Sequence, residues 1–129
     1  MGFTNNYAKA LYKWLSQFAE TFREPIIEGM FDDQNPKPLE YITYSNVTGN
    51  FGESIIQPIT IYSQSTSYSK VMQIADAIEN AIKEKGTKIT KEWGYMVIYK
   101  GNPFYQDKPD EDSYIRAGYI NLLIQIYQK

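Results

Sequence analysis

Ser67-Tyr68-Ser69-Lys70 has the Ser-x-x-Lys spacing of serine hydrolases that use a lysine base. On a helix this spacing sets both side chains on one face, where a desolvated lysine amine would take the serine proton. The companion motifs of that chemistry, Ser-Asp-Asn and Lys-Thr-Gly, do not occur, and Gly86-Thr87-Lys88 runs in the wrong order. Ser67 also stands where a helix N-cap is expected, a role that needs no catalysis. A second cluster, Asp107, Asp110, Glu111 and Asp112, is interrupted by Lys108 and Pro109. Carboxylates are hard oxygen ligands suited to Ca²⁺ or Mg²⁺. The cluster lacks the spacing and glycine of an EF-hand, so it reads as a solvated loop or a complementary patch for a basic partner. Asp32-Asp33 is an acid/base pair in name only, because nothing around it marks a substrate pocket.

The chain has no cysteine and no histidine. That removes disulfides, thiolate metal sites, cysteine nucleophiles, imidazole ligands and the Ser-His-Asp triad. No residue is assigned to catalysis, to a metal or to a cofactor, and a non-enzyme is expected. With 13 basic and 15 acidic side chains the net charge is −2, which argues against a general nucleic-acid binder. No apolar run approaches the ~20 residues of a membrane span, and the first residues lack a signal-peptide pattern. Of 129 residues, 12 are Tyr, 6 Phe and 2 Trp, so the expectation is one tyrosine-rich domain over residues 1–129.

The elements that must position these residues follow from periodicity. Tyr7, Leu11, Trp14, Leu15, Phe18 and Phe22 recur at steps of three and four, predicting a helix from Asn5 to Phe22 that Pro25 stops. Pro25 to Leu39 reads as an extended crossing loop. Tyr41–Val47 and Ser54–Ser63 predict an antiparallel hairpin around Thr48-Gly49-Asn50-Phe51-Gly52, with Pro58 marking an edge strand or a bulge. Ser65-Thr66-Ser67 offers N-caps for a second helix whose face is Val71, Ile74, Ala75, Ile78, Ala81 and Ile82, with Gly86 at the C′ position. Lysines 83, 85, 88 and 91 then sit at its end, where they suit the helix dipole. A strand Gly94–Lys100, an irregular acidic loop and a strand over Ile120–Tyr127 complete the pattern. The expected fold is α+β: an antiparallel sheet of about four strands with two helices packed on one face.

Tyr41, Tyr44, Tyr62, Tyr95, Tyr99, Tyr119 and Tyr127 all fall on these strands. Strand faces alternate, so several must point away from the helices, onto a face that is either solvated or buried by a neighbour. Gly101-Asn102-Pro103-Phe104 is a turn whose Phe either covers one end of the core or anchors another protein. Residues 80–100 carry 5 Lys and 2 Glu, a local charge of +3; residues 101–113 carry 1 Lys and 4 acids, or −3. Opposed patches on one chain are able to meet head to tail between copies, or simply to be solvated in a monomer.

Gln57 to Tyr68 running into the helix Val71–Ile82, the block Gly94 to Asp107, and Arg116-Ala117-Gly118-Tyr119-Ile120-Asn121-Leu122 together resemble small neck proteins of long-tailed bacteriophages and prophages. These are the tail terminator, or tail completion, proteins of the head–tail joint. The resemblance covers about Glu40 to the C-terminus and is weaker over the first helix and the proline loop. It implies an α+β structural virion protein without catalytic residues. Such a protein forms a ring, commonly of six copies, on the last tail-tube ring, stops tube polymerisation and faces the head connector. The implied partners are a second copy of the chain, the tail tube protein and a head-completion or connector protein. No direct nucleic-acid or membrane contact is implied. The implied location is the virion neck, with the host cytoplasm during assembly. Contacts with neighbours are expected at the Thr48–Glu53 turn and the Gly101–Asp112 loop. Phe51, Pro58, Tyr62, Asn102, Phe104, Tyr105, Asp107, Asp110, Glu111 and Asp112 are the candidate interface residues. The alternatives are a head-completion or connector-side protein, a prophage minor capsid protein, and, in another class, a small Ser/Lys hydrolase or ligand-binding module.

Overall fold

The computed structural model describes residues 3–26 and 29–129. In chain order the elements are α1 (Phe3–Leu15), β1 (Glu20–Arg23), β2 (Glu40–Tyr44), β3 (Ser54–Ser63), α2 (Ser69–Ala81), β4 (Thr87–Lys91), β5 (Gly94–Lys108) and β6 (Arg116–Gln128). The fold is α+β. The strands form one six-stranded sheet in the order β1-β2-β3-β6-β5-β4. All pairs are antiparallel except β1 with β2, which is parallel.

Both helices pack on the same sheet face. From α1, Tyr7, Leu11, Trp14 and Leu15 enter the core; from α2, Val71, Ala75 and Ile78. The strands supply Ile42, Ile59, Ile61, Met96, Ile98, Ile120, Leu122, Ile124 and Ile126. Register makes this one face, since Ile42 lies opposite Ile61, Ile59 opposite Ile120 and Ile98 opposite Ile124. Each such aliphatic side chain contributes roughly 1.5–3 kcal/mol by leaving water.

The sheet has six strands where about four were expected, and it is not wholly antiparallel. Helix α1 stops at Leu15, seven residues before the expected end at Phe22. Two tight turns, Gln17 N–H to the Trp14 carbonyl and Phe18 N–H to the Leu15 carbonyl, unwind it. Phe22 keeps helical spacing from Phe18 but belongs to β1, whose Glu20–Arg23 pair with Tyr41–Tyr44. A four-residue strand has no periodic signature of its own; its ladder with β2 creates it.

Three further expectations change. Helix α2 ends at Ala81, and no basic residue lies in its last turn. Gly86, at φ +91°, sits instead in a turn closed by its N–H to the Lys83 carbonyl. Lys88 and Lys91 therefore lie on the missed strand β4, not on a helix end. Strand β5 continues past Lys100 through a register shift to Lys108, so Asp107 is on a strand rather than in a loop. Pro58 is not on an edge strand, for β3 lies between β2 and β6. Pairing with β2 stops at Ile59, however, so Ser54–Pro58 has a ladder partner on the β6 side alone. The Gln57 side-chain amide occupies the open side, donating to the carbonyls of Ser45 (2.7 Å) and Pro58 (3.0 Å). A proline that lacks an N–H is tolerated at such a position.

Candidate interaction face

The sheet face opposite the helices carries the tyrosines. Alternation puts Tyr41, Tyr62, Tyr95, Tyr99, Tyr119 and Tyr127 there, while Tyr44 pairs with Ile59 and enters the core. Cross-strand neighbours stack. Tyr41 and Tyr62 have ring centroids 4.9 Å apart at 17°, and Tyr95 and Tyr127 lie 4.7 Å apart at 20°. Such pairs add about 0.5–1.5 kcal/mol to the burial of the rings and hold them rigidly.

Lysine amines sit over these rings. Lys37 lies 4.9 Å from the Tyr41 centroid, Lys88 4.2 Å from Tyr95 and Lys108 5.0 Å from Tyr62. Lys108 also donates a 3.1 Å hydrogen bond to the Tyr62 hydroxyl. That bond, more than the opposing effect of burial, holds the Lys108 amine above its ordinary range. Between the two Tyr–Lys groups lies an apolar stripe, Ile56 opposite Leu123 and Leu123 opposite Tyr99. Ile56 is 59% exposed and Tyr119 39%.

Flanking segments narrow the face at its margins. On one side Phe31 packs edge-on to Phe22, and Lys37 reaches Tyr41. On the other the turn at Gly86 approaches Val97 and Tyr99 so closely that a Cβ there would lie 2.6 Å from each side chain. Toward β1 the face deepens into an open groove of about 650 Å³, lined by Tyr41, Thr43, Thr60, Tyr62, Lys108 and Tyr119 among others. Glu24 borders it, and its carboxylate oxygens accept from the Thr43 and Ser45 hydroxyls at 2.9 Å each. The groove thus offers aromatic faces and amines for contact. Among the described residues the carboxylates in its lining are Glu24, which accepts from the two hydroxyls, and Asp110, which accepts the Asp112 N–H.

The motifs with catalytic spacing are not assembled into a site. Ser67 precedes α2, and its Oγ accepts the Ser69 N–H at 3.1 Å. Among the described residues no hydrogen bond joins Ser67 to Lys70, and both are exposed. The Asp32 carboxylate accepts the N–H groups of Gln34 and Asn35, closing a local turn. Among the described residues no three carboxylates gather closely enough to hold a metal ion, and no helix is long and apolar enough to cross a membrane.

The candidate interface residues fall into separate places. Tyr62 is on the uncovered face, with Pro58 exposed there opposite Asn121. Phe51 is 48% exposed in the β2–β3 turn and packs edge-on against Phe3 at 4.7 Å. Asn102 is exposed in the β5 irregularity, whereas Phe104 turns toward the core and borders a small hollow with Met72 and Ala75 of α2. Tyr105 lies over Gly118 on the helix side and donates to the Asp107 carboxylate at 2.7 Å. Burial, reinforced by that bond, raises the Tyr105 phenol. Asp110, Glu111 and Asp112 are exposed in the β5–β6 loop, where Asp110 accepts the Asp112 N–H and Asp112 that of Tyr114. Lys37, Ile56 and Leu123 were not singled out from sequence as candidate interface residues, and Lys88 reads there only as part of a lysine-rich helix end. The alternation of the strands marks Ile56 and Leu123 as outward-facing, but only pairing register brings them together.

No family model, curated protein or solved structure matches this chain.

Proposed function

We propose that this protein is a structural component of the neck of a long-tailed bacteriophage or prophage. In this reading copies of the chain form a ring, commonly of six, that caps the tail tube, stops its polymerisation and meets the head connector. The observation that carries the reading is the sheet face opposite the helices. There Ile56 and Tyr119 are exposed and Tyr62, Tyr95, Leu123 and Tyr127 partly so between two flanking segments, while Tyr41 is buried at one margin. A rigid aromatic surface with an apolar centre and a polar rim suits burial by another protein. Residues 57–68 running into α2, residues 94–107 of β5 and the start of β6 are also the segments through which the chain resembles tail terminator proteins. Scattered serine, lysine and carboxylate groups give a hydrolase reading no comparable support.

The direct test is to add the purified protein to polymerising tail tube protein. Capped tubes of limited length, with the protein at one end in electron micrographs, are the expected result. Tubes that grow unhindered and carry none of it would overturn the reading. Binding to connector complexes but not to tubes would move the protein to the head side of the neck.

A further inference from the structure

We infer that one copy of this chain docks its acidic β5–β6 loop against the β4 margin of the uncovered sheet face of the next copy, head to tail. The inference rests on the ring reading above and names the contact that would build the ring.

The basic half of the contact is the edge strand β4 with the turn before it, carrying Lys85 and Lys88; Lys91, opposite Gly94, lies on the helix side beside Trp14. The Lys88 amine is held over Tyr95, which is stacked on Tyr127, so a cationic group tops a rigid aromatic platform at the sheet edge. Among the described residues neither Lys85 nor Lys88 meets a carboxylate; the ion pair found joins Lys100 to Glu79. The acidic half is the loop with Asp110, Glu111 and Asp112, followed by Tyr114, which is 72% exposed. Exposed tyrosine beside a charged rim is the composition of an interface anchor.

Register decides that the two halves do not serve each other within one chain. Lys88 lies opposite Val97, which lies opposite Gln125, whereas Lys108, at the entrance to the acidic loop, lies opposite Ala117. Eight residues of β6 separate Gln125 from Ala117, about 27 Å at the ~3.4 Å rise of an antiparallel strand. The screening length at physiological salt is only ~8 Å. Asp110 acts on Lys108 of its own chain across the groove. Glu111, Asp112, Lys85 and Lys88, by contrast, make no ion pair among the described residues and are left for another molecule, and a second copy carries the complement of both. Because the two surfaces differ, the contact is heterologous and closes into a ring when its rotation divides a full turn.

The test is reciprocal charge reversal followed by sedimentation velocity. One variant carries K85E and K88E; the other carries E111K and D112K. The wild-type chain should assemble beyond a dimer at low ionic strength and dissociate at about 1 M salt, where the screening length is ~3 Å. Each reversed variant alone should assemble at least about tenfold more weakly. An equimolar mixture should recover assembly, since opposite signs again face each other at every contact. Among the described residues Glu111 makes no side-chain hydrogen bond, so E111K alone should weaken assembly with an unchanged Tm. A wild-type chain that stays monomeric at low salt, growth that stops at two copies, or mixed variants that fail to assemble would each overturn the inference. Reversed variants that still form rings on tail tubes would overturn it while leaving the neck reading intact. Salt-sensitive assembly that never caps tubes would do the reverse.

Discussion

The Tyr7 hydroxyl of α1 donates a 2.9 Å hydrogen bond to Oε1 of Gln57, a fully buried side chain in the middle of β3. The Gln57 amide nitrogen in turn donates to the Ser45 and Pro58 carbonyls. One polar side chain thus ties the first helix to the sheet and closes the side of β3 that β2 leaves open. A one-residue slip of β3 would move Gln57 to the uncovered face and break all three bonds, so the network selects register as well as adding stability.

Replacing Tyr7 by Phe should cost about 1–3 kcal/mol, because it leaves a buried amide oxygen without a donor. Gln57→Leu should cost more, since it strands the Tyr7 hydroxyl and the Ser45 carbonyl together. The double variant should lose less than the sum of the two. Urea unfolding of the four proteins of this cycle measures the coupling.

Stability should decline in alkali. Burial raises the phenols of Tyr7, Tyr44 and Tyr105 above their ordinary range, and Lys108 is also raised. In each case the folded chain holds the proton more tightly than the unfolded chain. The stabilisation is complete below pH about 10 and is lost as the pH climbs from there through the raised values. For Tyr7 alone the decline approaches about 1.4 kcal/mol per pH unit. Denaturant titrations between pH 8 and 11 should show it (both limits are about one to two units from the ordinary phenol value), with a shallower fall in Tyr7→Phe.

Gly94 opens β5 at φ +150°, and a Cβ there would run into the Tyr127 carbonyl oxygen. Backbone does not yield as a side-chain tip does. Gly94→Ala should therefore cost more than about 2 kcal/mol and loosen the end of the β5–β6 ladder. Thermal unfolding gives the loss, and hydrogen exchange should locate it at Tyr95 and Gln128.

Ile56→Lys tests the uncovered face. The side chain is exposed and outside the core, so the change in stability should stay within about 1 kcal/mol. If this face is buried by a neighbour, the same variant should lose tube capping, scored by tube length in electron micrographs. Retained capping would separate Ile56 from the interface.

The uneven legibility of the fold has a physical basis. Long elements declared themselves, because thirteen residues of α2 or of β6 repeat their apolar pattern several times before the chain turns. Strands β1 and β4 were hidden. Glu20–Arg23 continues the helical spacing of Phe18 and Phe22, and Thr87–Lys91 reads as a lysine-rich helix end. Both become strands through hydrogen bonds to partners elsewhere in the chain, Tyr41–Tyr44 and Gly94–Ile98. Gly86 misled for a related reason: its positive φ serves a turn into β4, and nothing local distinguishes that from a helix cap.

Sequence alone determined the α+β class, the two helical faces, the hairpin of β2 and β3, and a surplus of tyrosines too large for one side of a sheet. These follow from local periodicity and from the alternation of side chains along a strand. Tertiary structure alone decided that Tyr44 turns inward while Tyr41 and Tyr62 stack outward, that three lysines cap outward rings, and that the basic and acidic segments stand apart along β6. Those relationships depend on which strands pair and in what register, and register is chosen by the whole core at once rather than by any segment within it.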